Sequence, residues 1–515
     1  MEQKKFYITT SIPYANARPH VGHAYELVLA DIIARYHRSK IDDTFFLTGT
    51  AEHGEKIIRA AKKENIGPQA FVDKNVKSFV DLYEKLTISY DSFIRNSDKE
   101  RHWPGAQALW TKLLESGDIY KKVYEGLYCV GCEKFITEKE LVGGKCADHD
   151  TEPEKVEEEN YFFRLSKYQD RIIEILEKQE IKIIPASRVN ELLAFTRAGL
   201  EDISFSRPEG PILWGIPVPN DKTHMMYVWC EELSNYISAL GYGREDHSLF
   251  DKFWPADVHV IGKDISRFHA IVWPAMLLSA GLPFPKSILI HGHITSGGKK
   301  MSKTVGNVID PEEYVLKYGV DALRYYFARE IVSTDDGDFT EEHFIETYNA
   351  NLANGIGNLM SRTLKMAEQY FDGEVSRGSD ADVALKRSMT GLESEIVGEG
   401  FSIPYIIDTE ILPQYHKAME RLEINKATDV LWSLIGRLDG YITDYEPFKL
   451  IKTNKNKTEN IIWNLLYGLH NITELLSPIL PSTAEIMHKH IKKTVDGEDI
   501  KFSISLLDEP LFLRK

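Results

Sequence analysis

The chain has 515 residues, too many for one ordinary core, so about two to four domains are expected. Its 43% hydrophobic and 27% charged residues suit a globular chain. No run nears the ~18 uninterrupted apolar residues of a membrane span, and "MEQKKFYITTSIPY" is too short an apolar start for a signal peptide, so a cytoplasmic protein without membrane contact is expected. The formal charge of −16 argues against sequence-independent coating of nucleic acid and leaves room for a local basic site.

In chain order, "KKFYITTSI" has the β-branched and aromatic bias of a buried strand. "VGHAYELVLADIIARYHRSK" then places Val21, Leu27, Val28, Ala30, Ile32 and Ile33 at helical spacing, and "TFFLTGT" is a second strand. Strand, helix, strand predicts a parallel sheet. The pattern returns in "DVHVIGKD", "SRFHAIVWPAMLLSAG" and "SILIHGHIT". Between the halves lie a cysteine cluster, hairpin-like "VGGK" and the acidic "EPEKVEEEN", taken as a solvated face. Beyond Glu330 helical stretches take over. The predicted fold is α/β: a Rossmann-type parallel-sheet domain in two blocks, 1–116 and 225–340, split by a connective insertion over 117–224 and followed by an all-helical bundle over 341–515.

Four cysteines in so long a chain do not make a disulfide framework. Cys129-x₂-Cys132, thirteen residues, then Cys146-x₂-His149 is instead a zinc pattern. Each pair brackets a turn, and four protein ligands make a closed structural site. Cys230 is left over as a small buried apolar residue.

"IPYANARPHVGH" sits where the first strand gives way to the first helix. His20 and His23 flanking Val21 and Gly22 are either incidental to a tight turn or paired donors for a phosphate. The helix N-terminus favours an anion, and Gly22 removes a side chain from its approach. "GGKKMSKTVGNVIDPEEY" follows the last predicted strand. Gly297 and Gly298 are expected to give a mobile loop carrying Lys299, Lys300 and Lys303, anchored where Asp310 caps a helix opening with Pro311.

"HVGH" and "KMSKT" in this order resemble the paired signatures of class I aminoacyl-tRNA synthetases. "TTSIPYANARPHVGH", "YVWCEELSNYI", "GKDISRFHAIVWPAML" and the metal cluster are similar to the methionyl-tRNA synthetase family in particular, strongly from Phe6 to about Asp338 and more loosely through the bundle. The resemblance implies activation of methionine by ATP, with Mg²⁺ on the nucleotide, and acyl transfer to the terminal adenosine of a tRNA. It assigns His20, His23, Lys300 and Lys303 to the reacting phosphates and Gly22, Asp264 and Ser302 to ATP. The methionine pocket falls on Ile12, Tyr14, Trp229, Glu232, Tyr236, Ile265 and His269, and anticodon reading on Asn358, Arg362 and Phe448. The family's zinc knuckle maps onto Cys129, Cys132, Cys146 and His149.

Two positions depart from the family's pattern. Phe448 stands where the family commonly carries a tryptophan that stacks on an anticodon base. Ala51 replaces the aspartate that holds the substrate ammonium, while Glu232 stands where an alanine is usual. The expectation is that Glu232 supplies the carboxylate from the opposite wall, with Glu52 as the competitor. The rival readings are another class I synthetase, such as the cysteine enzyme, and a non-catalytic tRNA or amino-acid sensor. Without a further C-terminal domain in view, a monomer is expected.

Overall fold

The computed structural model describes residues 3–130, 134–136, 141–147, 150–208, 214–301, 307–377, 402–497 and 499–515. The chain divides into two compact units, Met1–His293 and Ile294–Lys515. Among the described residues no helix is long and apolar enough to cross a membrane.

The first unit is built on six parallel strands: β1 (Lys5–Thr10), β2 (Asp43–Thr50), β3 (Ser92–Arg95), β4 (Lys182–Ile184), β5 (Val258–Gly262) and β6 (Ser287–His291). Their spatial order is β3-β2-β1-β5-β6-β4. β1 pairs with β2 from Lys5↔Asp43 to Thr9↔Leu47 and with β5 from Ile8↔Val258 to Thr10↔Val260. The strands are short apolar runs because both faces of a parallel sheet are covered; β5 and β6 are buried at every position. Helix α1 (Val21–Ser39) covers one face and buries fourteen of its nineteen residues. Trp110 and Trp273 are completely enclosed in the main core; burial on this scale contributes roughly 1.5–3 kcal/mol per apolar side chain.

The chain leaves β1 toward β2 on one side, and the second half enters through β5 on the other. That reversal opens a crevice at the carboxyl ends of β1 and β5.

The 117–224 stretch is not wholly outside this sheet, because β4 forms its edge beside β6. The rest carries its own antiparallel sheet, in which Ile119–Cys129 pairs with Glu154–Phe163. "VGGK" makes the hairpin return its glycines predict, pairing Leu141 with Cys146, with Gly143 and Gly144 at φ 62° and 81°. The acidic strand is solvated on one face, yet Glu154 and Glu158 hold Arg59 and Arg207.

In the second unit, Asp310 caps the Pro311–Tyr318 helix by accepting from Glu312 N–H at 2.9 Å. Gly297 and Gly298 do not form a loose loop. With φ at 60° and 71° they make the two-residue turn of a hairpin pairing Thr295 with Lys300, and Gly298 N–H donates to Asp338 at 2.8 Å. Two adjacent residues in the left-handed region match the twist of flanking strands, which is why glycines serve there. The C-terminal region is mostly helical, with long helices Ile424–Tyr445 and Lys455–Leu476, but it is not all-helical. Glu374–Ser376, Ile491–Asp496 and Asp499–Ile504 form a three-stranded sheet. The alternation in "DIKFSI" and the turn at Asp496-Gly497 carry that hairpin.

Candidate active site at the sheet switch point

His20 is the extended N-cap of α1, with φ −126° and ψ 176°. Its Nδ1 accepts from Gly22 N–H at 3.1 Å, and Nδ1 of His23 accepts from His20 N–H at 3.1 Å. The two rings stack with centroids 3.9 Å apart. This is a capping box made of two imidazoles. A neutral ring whose Nδ1 accepts carries its proton on Nε2, so the cap presents two N–H donors beside the positive end of a helix. Burial and the neighbouring His20 hold His23 well below the usual imidazole range, so its donor persists at neutral pH. Gly22 is needed for a reason the sequence does not reveal: a Cβ there would lie 2.9 Å from Cε1 of His20.

Asp264 follows β5 on the other side of the crevice. Its side chain is 67% exposed; the surrounding protein mass favours the protonated form, but His293, at 3.7 Å, and then His291 hold the carboxyl down to about 2.

The residues predicted for the amino-acid pocket fall in two clusters, and Tyr14 and Ile265 pack against both. Trp229 stacks on Phe268 at 3.7 Å with the planes 4° apart, and Tyr14 and Ile265 pack against the same cluster. Tyr236 O–H donates to Nε2 of His269 at 2.7 Å, because His269 Nδ1–H is committed to the Ile265 carbonyl at 3.0 Å. Burial lowers His269 to about 4 and keeps it the neutral acceptor this dyad requires. Ile12 and Tyr236 are buried in the main core. Ala51 is fully buried, with its N–H on the Pro13 carbonyl and its carbonyl accepting from Ala15 N–H at 2.9 Å each.

Three buried carboxylates stand near Ala51 or Trp229 in sequence, and the structure distinguishes them. Glu52 accepts a bidentate pair from Arg95 at 2.7 and 2.9 Å, and also hydroxyls from Thr50 and Ser97. Its two oxygens are thus already engaged by a guanidinium and two hydroxyls. Glu231 accepts from His53 at 3.0 Å, His102 at 2.8 Å and Asn96 at 2.8 Å. Glu232 is 4% exposed, and after the effect of burial its charge and that of Glu26 raise the Tyr236 phenol.

The Glu231 cluster has a stability consequence. Burial would raise its carboxyl, but His53 and His102 outweigh this and hold it at about 2, below the usual ~4.3 of an unfolded glutamate. A depressed folded pKa stabilises fully above the unfolded value and less as pH falls toward the folded one. The stability gap between wild type and Glu231→Gln should therefore be on the order of a few kcal/mol near neutrality and shrink between about pH 4.5 and 2. Urea midpoints across that range measure it; a gap that stays constant refutes it.

Sequence reasoning missed Phe268, Glu231, Glu26, His291 and His293. The last two close and follow a strand end in "IHGHIT", where Brändén's rule would have drawn attention to them. Glu26 is a lone acid in an apolar stretch of α1.

Of the residues predicted to hold a metal, Cys129 and Cys146 are both buried and meet with Ile136 in one small cluster. Cys132 and His149 lie outside the described residues, as do Ser302 and Lys303. Lys300 has its backbone in the hairpin of the second unit. In the same unit Asn358 opens the Asn358–Phe371 helix and is exposed, while Arg362 donates to Asp439 at 2.7 Å, and Phe448 is 43% exposed.

A parallel nucleotide fold with paired imidazole donors at its switch point defines an enzyme that handles nucleotide phosphates. The family model described as class I tRNA synthetases (M) matches residues 6–152 and 137–364. A methionine–tRNA ligase of Clostridium acetobutylicum is 43% identical over 96% of this chain and 74% of its own. That of Caldanaerobacter subterraneus subsp. tengcongensis is 43% identical over 98% and 76%. The Mycobacterium tuberculosis methionyl-tRNA synthetase in complex with methionyl-adenylate superposes with a TM-score of 0.91 at 34% identity, over 99% of this chain and all of that one. The chain belongs to the methionyl-tRNA synthetases of class I.

Proposed function

We propose that the chain joins methionine to ATP at the β1/β5 crevice and then passes the acyl group to a tRNA. A methionine carboxylate oxygen attacks the α-phosphorus, the bond from that phosphorus to the bridging oxygen breaks, and pyrophosphate leaves. A hydroxyl of the terminal ribose of tRNA next attacks the acyl carbon, and AMP departs. In-line displacement needs positioning and charge neutralisation more than a strong base. The observation that carries this reading is the imidazole cap at the start of α1, in which both Nδ1 atoms accept from backbone N–H and leave the ring protons on Nε2.

In this reading His20, His23 and the Gly22 backbone engage the phosphates, and the Asp264 carboxylate accepts from ribose hydroxyls. Ile12, Tyr14, Trp229, Tyr236, Ile265 and His269 enclose the thioether, which gains from aromatic contact. Glu232 takes the ammonium. Lys300 and Lys303, with Ser302 between them, are assigned to the departing pyrophosphate on their chemistry. Mg²⁺ bound with ATP would add neutralising charge on the phosphate oxygens. Asn358, Arg362 and Phe448 are assigned to anticodon bases, by hydrogen bonding and stacking.

Methionine-dependent exchange of labelled pyrophosphate into ATP tests the reading. Exchange driven by cysteine instead would favour the cysteine enzyme, and no exchange with any amino acid would favour a sensor.

For the metal, two thiols brought into one small core fit a soft cation, and Cys129, Cys132, Cys146 and His149 would hold zinc as a closed structural site. Zinc content near stoichiometric with the chain is expected. A strong chelator should remove it and expose the 117–224 stretch to protease, with Cys129→Ser giving the same digestion pattern. Metal-free protein with an unchanged pattern would count against the site.

A further inference from the structure

Glu26 and His291 form a buried pair that the chemistry above does not use. Nε2 of His291 lies 2.9 Å from Oε2 of Glu26, and Nδ1 lies 2.7 Å from the Gly292 carbonyl oxygen. Oε1 of Glu26 accepts both the N–H and the hydroxyl of Ser11, at 2.8 and 2.6 Å. A ring facing a carboxylate at one nitrogen and a carbonyl at the other can donate to both only when each nitrogen carries a proton. One carboxylate thus joins the end of β1, the start of α1 and the end of β6. Glu26 lies three residues after His23, on the same side of the helix. A Cβ on Gly262 would lie 2.9 Å from Oδ1 of Asp264 and 3.7 Å from Cε1 of His291. The imidazolium therefore lies under the turn that presents Asp264.

We propose that Glu26 and His291 are positioning residues for ATP: the His291 ring, held between Glu26 and the Gly292 carbonyl, braces the turn that presents Asp264, and Glu26 locks that turn to the histidine-capped helix. This rests on the assignment of Asp264 and the cap to ATP. The charges acting on His291 are Glu26 and Asp264, and Tyr25 sets its ring edge-on at 5.4 Å. Around Glu26, burial raises Tyr83 and Tyr236 and lowers His269, so these stay neutral over the working range. Burial alone would deprotonate His291, but Glu26 outweighs it and the ring's pKa is raised. ATP affinity should accordingly hold while His291 is protonated and weaken as pH rises through that raised value.

The test is pyrophosphate exchange by the full chain across pH, with ATP and methionine KM separated, for wild type, Glu26→Gln and His291→Gln. Selectively labelled histidine followed by NMR in wild type reads the His291 proton directly. Both variants should raise the ATP KM about tenfold with the methionine KM changed less than about twofold. The alkaline rise in wild-type ATP KM should move at least about one pH unit lower in Glu26→Gln and vanish in His291→Gln. Equal changes in both KM values, or a lowered melting temperature with the ATP KM and its pH profile intact, would reduce the pair to a structural tie and overturn the proposal. Should the variants not fold, a His291 signal that is already neutral below about pH 6.5 overturns it equally. Absence of exchange in wild type would instead sink the functional reading itself.

Discussion

His20→Asn should lower pyrophosphate-exchange kcat by about 10²–10³, the usual cost of one lost donor to a transition-state oxyanion. Its stability should stay within ~1 kcal/mol of wild type, because asparagine is a good N-cap and can still accept from Gly22 N–H. His20→Ala removes cap and donor together, so it should match the asparagine variant in activity and lose a further ~1 kcal/mol of stability. The comparison separates the two jobs of one ring. Near-normal exchange by the asparagine variant would make His20 a helix cap and nothing more. Because the rings act as neutral donors, wild-type exchange should also show no loss centred on the ordinary imidazole pKa of ~6.5 as pH rises.

The second large effect concerns the ammonium. Glu232→Ala should raise the methionine KM by about 30- to 100-fold, the ~2–3 kcal/mol of a charge-assisted hydrogen bond, with the ATP KM nearly unchanged. Adding Ala51→Asp to that variant should recover a large part of the loss, since it returns a carboxylate to the opposite wall. The structural basis is that Glu52 is held by Arg95, Thr50 and Ser97, and Glu231 by His53, His102 and Asn96. Glu232, in the same helical segment as Trp229 and one turn before Tyr236, adds its charge to that of Glu26 on the Tyr236 phenol. Small, equal effects on both substrates would refute the assignment. A deaminated methionine analogue supplies the control: it should bind wild type and Glu232→Ala alike.

The candidate site was legible where its chemistry is local. His20, Gly22 and His23 are close enough in sequence for one helix start to set their geometry. The Cys-x₂-Cys spacing names a ligand type without any fold. What stayed hidden depends on partners far along the chain: Glu26 meets His291 across 265 positions, and His53 meets Glu231 across 178. Periodicity shows that a glutamate sits on a buried face, not which cation faces it. The glycine pair at 297 and 298 was misjudged for a related reason, since composition alone cannot separate a free loop from a tight turn whose strands are paired.

By itself the sequence determined the class of fold, the strand-helix-strand units of the parallel sheet, the capped helix and the zinc pattern, because these follow from short-range sterics, hydrophobic period and ligand spacing. Only the tertiary structure decided which buried carboxylates are taken by arginine and histidine partners, and that Glu26 meets His291. Those outcomes are set by desolvation and by partners within ~3 Å, and distances of that kind between remote residues exist only once the sheet has brought its strand ends together.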